Sequence, residues 1–136
     1  MRTRLSIAVL GVSLLAGAVP VVAHHAFSSE FDANRPVKLT GTVTQMEWVN
    51  PHSWIHIDVK RPDGTAESWA IEGATPNTLL RRGLRKRDLL AGTVIRVDGY
   101  QAKDKGLRAI GNDLTLTDGR QIFLGSVIGG LGDDQR

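Results

Sequence analysis

A chain of 136 residues with no cysteine forms no disulfide, no thiolate zinc site and no thiol nucleophile. Its length suits one domain and is too short for two. The formal charge of +3 comes from 17 basic and 14 acidic residues, and two of those bases, Arg2 and Arg4, sit in a targeting segment. Without them about one net positive charge remains, so nucleic acid, whose binders are led by excess positive charge, is not an expected partner.

The first element in chain order is an export signal. Arg2 and Arg4 form a positive n-region, Leu5 to Ala18 is a short apolar run, and Pro20 ends it. Val21-Val22-Ala23 then places small residues at positions −3 and −1 of a cleavage site. The run is shorter than the roughly 20 apolar residues of a membrane span. No paired arginine and no lipobox cysteine is present, which favours the general secretory route. The sequence therefore divides into a signal peptide (1–23), an N-terminal arm (24–36), a folded domain (37–124) and a glycine-rich tail (125–136). The expected location is the periplasm, with no transmembrane segment in the mature chain.

Val37 to Trp48 reads as the first strand. Leu39, Gly41 and Val43 share one parity and Met46 and Trp48 the other, which predicts a bulge near Thr44-Gln45 or a strongly coiled strand. Val49-Asn50-Pro51-His52 is a turn. Ser53 to Lys60 follows, with Ile55, Ile57 and Val59 on one face and Trp54, His56 and Asp58 on the other. Arg61-Pro62-Asp63-Gly64 is a hairpin turn, and Ala66 to Glu72 is a third strand with Trp69 and Ile71 together. Thr75-Pro76 opens a short helix that Gly83 stops; its Leu79 and Leu80, with Leu84 beyond, are placed to plug a barrel. Ile95 and Val97 mark strand four. Ala109 to Thr117 is strand five, and Asp118-Gly119 turns into a short Gln121 to Leu124 strand.

This order, with a coiled first strand and a helix between strands three and four, is that of the OB fold. The expected architecture is mainly β: a small five-stranded Greek-key barrel with one short helix. Ligands of that fold usually sit on strands two and three and the loops joining strands 1–2 and 4–5.

The segments His24-His25-Ala26-Phe27, Glu30-Phe31-Asp32, Leu39-Thr40-Gly41-Thr42-Val43, Trp48-Val49-Asn50-Pro51-His52 and Asp118-Gly119-Arg120 carry a resemblance. The chain resembles a family of small secreted bacterial proteins known as a domain of unknown function, over nearly all of the mature chain. The resemblance implies the boundaries and the compartment and adds no chemistry.

Two constellations carry candidate chemistry. Cleavage after Ala23 makes His24 the first residue, so its amine and imidazole can share one metal ion, Cu(II) by preference, with a second imidazole completing the set. His25 can serve with the amine and the intervening amide. His52 and His56 are the distant partners, but four strand residues hold them about 13 Å apart, so only one of them joins the site. The second constellation is Trp48, Asn50, Pro51, His52 and Trp54, where two indoles around a turn can stack on a flat or sugar-like ligand. Lys103 and Lys105, in the loop from Gln101 to Arg108, fall near the same edge of an OB barrel. Phe27 and Phe31 are expected to pin the arm to the barrel. The basic run Arg81, Arg82, Arg85, Lys86 and Arg87 reads most simply as a solvated helix end.

No motif supports catalysis. There is no phosphate-binding glycine loop and no nucleophile elbow, so no catalytic residue is assigned. The leading expectation is a non-catalytic periplasmic OB-like binding or interaction module, with a small molecule or an envelope protein as partner. The alternative is an envelope protein that binds copper or another transition metal through its processed N-terminal histidine. A third reading is an accessory domain working beside an envelope enzyme.

Overall fold

The computed structural model describes residues 29–125. Its elements are β1 (Phe31–Glu47), β2 (Ser53–Lys60), β3 (Ala66–Gly73), the helix α1 (Pro76–Arg81), a 3-10 turn (Lys86–Leu89), β4 (Val94–Ala102), β5 (Arg108–Thr115) and β6 (Gln121–Phe123). The strands lie in the order β3-β2-β1-β4-β5-β6, and a further β3–β5 pairing closes the first five into a ring. All neighbours are antiparallel except β3 and β5, whose parallel contact joins Ala70 to Arg108, Ile71 to Ala109 and Glu72 to Ile110. A β-β-β-α-β-β order closed in this way is an OB-like barrel. The short β6 is an addition outside the ring, paired only with β5.

The alternation expected in β2 holds. Ile55 and Ile57 are fully buried, facing Ile71, Val97, Leu114 and Val43 in one apolar core. The irregularity in β1 falls between Val43 and Gln45, where the parity change predicted it. That extra residue lets Leu39 and Val43 face the core and brings Met46 and Trp48 against it further on. Gly41 marks the point of closest coiling: a Cβ there would lie 2.9 Å from the Asp58 carbonyl oxygen and 3.1 Å from Ile57 Cδ1.

Strand β1 starts earlier than the sequence suggested, at Phe31 rather than Val37. Phe31 is 3% exposed and sits opposite Ala102. The polar stretch behind it hides the pattern: the Asn34 N–H donates to Asp32 Oδ1 at 2.9 Å, and the register with β4 slips between Phe31 and Pro36. Helix α1 follows its caps, with the Thr75 hydroxyl accepting from the Thr78 N–H and proline at its start. Gly83 takes the left-handed conformation, φ 93°, that stops it. Leu79 and Leu84 are fully buried under the barrel, whereas Leu80 is only half-buried and does not share the plug.

A third register shift lies in β4 at Asp98/Gly99. Here a Cβ on Gly99 would fall 2.1 Å from the Ile110 carbonyl oxygen, a contact that only a backbone shift relieves. Gly99→Ala is expected to lower stability by about 1–3 kcal/mol, read as a lower urea midpoint at unchanged slope.

Candidate ligand face

His52, Trp54 and His56 share one parity, and the buried Ser53, Ile55 and Ile57 share the other. The core claims the second set, so the first is turned to the outside of the barrel. Register then fixes what stands beside them. Trp54 lies between Glu47 of β1 and Glu72 of β3, and Glu72 lies next to Ile110 of β5, which pairs with Tyr100 of β4.

Each histidine is held by a different carboxylate. His52 Nδ1 contacts Glu72 Oε1, and His56 Nε2 lies 2.7 Å from Glu47 Oε1. The two pairs flank the half-buried indole of Trp54. Glu72 is 7% exposed, and that burial pushes its carboxyl above the usual carboxylate range. The His52 imidazole opposes the rise, the charge of Glu30 adds to it, and Arg108 opposes it. Nδ1 is the ring nitrogen that faces Glu72, which leaves Nε2 outside the pair.

The loop between β4 and β5 reaches the same neighbourhood by backbone contacts. The Lys103 N–H donates to the Glu30 carbonyl at 2.9 Å, and the Ala70 N–H donates to the Leu107 carbonyl at 3.0 Å. Gln101 Nε2 donates to the carbonyls of Lys105 and Gly106 at 3.2 and 3.0 Å, which supports Lys105 at its left-handed φ of 64°. Lys103 and Lys105 are both exposed.

The remaining candidates divide. Asn50 and Pro51 are exposed in the β1–β2 turn, joined by a cis peptide bond. Trp48 is half-buried and packs against the core, whereas Trp54 lies on the outer face of β2. His52 and His56 are turned to carboxylates on opposite sides of β2 and do not converge on one ion. His24, His25 and Phe27 lie outside the described residues. Among the described residues, no group of three or more His, Cys, Asp or Glu side chains is arranged to hold a metal ion. The basic run is not uniformly solvated either. Arg82 lies 4.7 Å over the Phe123 ring and donates to the carbonyls of Phe123 and Gly125 at 2.8 and 2.6 Å, while Arg81, Arg85, Lys86 and Arg87 are exposed.

Sequence reasoning missed Glu72, Glu47, Glu30 and Arg108. Glu72 carried one signal, an acidic residue on the outer parity of a strand expected beside His52. The partner of each histidine, however, is a matter of register between strands.

Among the described residues, no helix is long and apolar enough to cross a membrane. Two solved structures are similar to this chain. One is the mitochondrial single-stranded DNA binding protein Rim1 from S. cerevisiae, at 16% identity and TM-score 0.45, covering 60% of this chain and 92% of that one. The other is the N-terminal domain of the PriB protein from Thermoanaerobacter tencongensis, at 21% identity and TM-score 0.44, covering 62% of this chain and 97% of that one. The first corrects the expectation of a small molecule or an envelope protein as partner to the exclusion of nucleic acid. A single-stranded DNA binding protein stands among the structures similar to this chain, and a net charge near neutrality is no ground for excluding that class. None of the curated proteins matches the sequence. The profile of a family of unknown function, DUF6152, matches residues 11–110, and the chain belongs to that family.

Proposed function

We propose that this chain is an exported, non-catalytic OB-like binding module whose ligand surface is the outer face of β2 and β3 beside the β1–β2 turn. The observation that carries this reading is the carboxylate of Glu72, kept almost wholly from water at the edge of the barrel next to a half-buried Trp54. Burying a carboxylate costs stability unless it is fully paired. The His52 imidazole and the charge of Arg108 favour its ionised form, and the like charge of Glu30 works against it. Such a group sits in a structure for what it does to its neighbours.

The ligand chemistry that fits the face is a ring that stacks on an indole, with hydrogen-bonding groups at its rim for His52 and His56. Lys103, Lys105 and Arg108 add positive charge along one side. A single-stranded oligonucleotide and a neutral oligosaccharide both offer such rings and serve as probes, followed by tryptophan fluorescence. Removing a stacked indole costs about 1–3 kcal/mol per ring, so Trp54→Ala should weaken binding of the responding probe by about tenfold or more. Equal binding by Trp54→Ala, or no response to either probe, overturns the reading.

Export is tested separately. The positive n-region, the short apolar run and Val21-Val22-Ala23 support cleavage after Ala23 and residence in the periplasm. Intact mass of protein from the envelope fraction should correspond to a chain starting at His24. A start at Val19, after Ala16-Gly17-Ala18, would contradict it.

A further inference from the structure

We propose that the outer surface of the segment from Arg81 to Val94 docks on an anionic lipid membrane, with Arg81, Arg85, Lys86 and Arg87 meeting phosphate headgroups and Leu90 entering the interface. This goes beyond the binding reading above and uses none of the side chains of the β2–β3 face.

Positive charge is concentrated in this segment. Residues 29–125 carry 14 basic and 12 acidic side chains, and residues 81–88 hold five of the basic ones and one of the acidic. Outside that stretch nine basic residues face eleven acidic ones. The one acid within it, Asp88, is taken by Arg120, whose Nη2 lies 2.7 Å from Oδ1. Arg82 is turned to the carbonyls of Phe123 and Gly125. Among the described residues no carboxylate lies within ion-pair distance of Arg81, Arg85, Lys86 or Arg87, and all four are exposed.

Packing fixes which way the segment faces. Leu79, Leu84 and Leu89 are buried in the core cluster, so the residues between them are left on the outside. The backbone is tied at several points. The Arg85 N–H donates to Asp88 Oδ2 at 2.8 Å, the Gly92 N–H to the Val43 carbonyl at 2.8 Å and the Thr93 N–H to the Leu90 carbonyl at 3.0 Å. Next to the cations stands Leu90, at 62% the most exposed large apolar side chain among the described residues, and the exposed Val94 follows it.

A lone exposed leucine is ordinary on a protein surface. Beside four cations without carboxylate partners it combines the two contributions that hold a peripheral protein on a membrane: apolar area at the acyl boundary and attraction to anionic headgroups. Single-stranded nucleic acid can use the same cations, but its binding adds the stacking of bases on aromatic rings. No aromatic residue occurs between 81 and 94, and the apolar neighbours are aliphatic. Each cation near an anionic surface multiplies the partition by about five. Four of them with one leucine give attachment that is reversible.

The test is sedimentation of protein purified from the envelope with vesicles of phosphatidylglycerol and phosphatidylcholine in equal parts, and with phosphatidylcholine alone. Binding is expected on the first and not on the second, and it should weaken as salt screens the headgroups. Arg85→Ala, Lys86→Ala and Arg87→Ala together should lower the partition about a hundredfold, with the thermal midpoint close to the parent's. Arg85→Lys with Arg87→Lys keeps the charge and should keep the binding. Leu90→Ser should lower the partition about tenfold. Equal binding to the two kinds of vesicle overturns the proposal, and so does parental binding by the triple alanine variant. A Leu90→Ser protein that binds like the parent also overturns it, and displacement of that protein from the vesicles by an oligothymidine would assign the cations to single-stranded nucleic acid instead. Vesicle binding and ring stacking are read on different residues, so either can fail without the other.

Discussion

Ile57→Asp is expected to yield a chain with no cooperative unfolding transition. Ile57 is fully buried in the middle of β2, opposite Val43 of β1 and Trp69 of β3. Its Cδ1 fills the space over Gly41, where a Cβ would approach to 3.1 Å. The substitution removes that packing and leaves a carboxylate with no partner among Ile55, Ile71 and Val97. Lost packing and unpaired charge together cost at least about 5 kcal/mol. A domain of this size has a total stability of about 5–15 kcal/mol, so little or no folded population remains. The contrast is Arg85→Ala. Its side chain is exposed, and the cap at this position uses its backbone N–H, which donates to Asp88 Oδ2 at 2.8 Å. That variant should stay within about 0.5 kcal/mol of the parent. Thermal unfolding of the two variants tests the assignment of strand faces, and a folded, cooperative Ile57→Asp protein would mean that the faces are reversed.

Arg120→Ala is expected to lower the melting temperature at neutral pH by an amount that disappears in acid. Arg120 joins the β5–β6 turn to the 3-10 turn. Its Nη2 lies 2.7 Å from Asp88 Oδ1 and its Nε 2.8 Å from Asp118 Oδ2. The Arg120 hydrogen bond is the largest influence holding the Asp88 carboxyl below the usual range, with the Arg85 N–H assisting. For Asp118 the Arg120 backbone N–H leads and its guanidinium follows. Both carboxyls thus have a lower pKa folded than unfolded. The stability they contribute is complete above their unfolded value of about 4 and is lost as pH falls through the lower folded values. Removing the guanidinium removes the part it supplies. The gap in melting temperature between parent and variant should therefore be full at pH 6 to 7 and close as pH falls below about 4. A gap that persists unchanged at pH 3 would mean that Arg120 acts by packing rather than by charge.

The barrel was legible where its causes are local. Alternation in Ser53–Lys60 follows from a side-chain period of two on a half-buried strand. The parity change in β1 placed its bulge, and Thr75-Pro76 with Gly83 bounded the helix. The turn at 61–64 closes on its own residues, with the Arg61 N–H donating to the Thr65 carbonyl at 2.8 Å and Asp63 accepting from Thr65. These features need only the few residues around them. The early start of β1 was hidden because Asp32 to Pro36 break the alternation, and only the distant Ala102 gives Phe31 its place.

The candidate site lies on the other side of that line. By itself the sequence determined the chain order of the strands and the two faces of β2, with Trp54, His56 and Asp58 set opposite Ile55, Ile57 and Val59. Which carboxylate meets which histidine was settled only in the tertiary structure. Glu72 is 20 residues from His52 and reaches it through the β2–β3 register. Glu47 reaches His56 across a register that the bulge in β1 has shifted. A slip of one residue in either pairing would send each carboxylate to the opposite face. The burial of Glu72 and its proximity to Glu30 and Arg108 depend further on the parallel β3–β5 contact that closes the ring. Periodicity sets the face a side chain takes, because that depends on its own backbone; its partner depends on how separate strands are aligned, which is decided by the packing of the whole barrel.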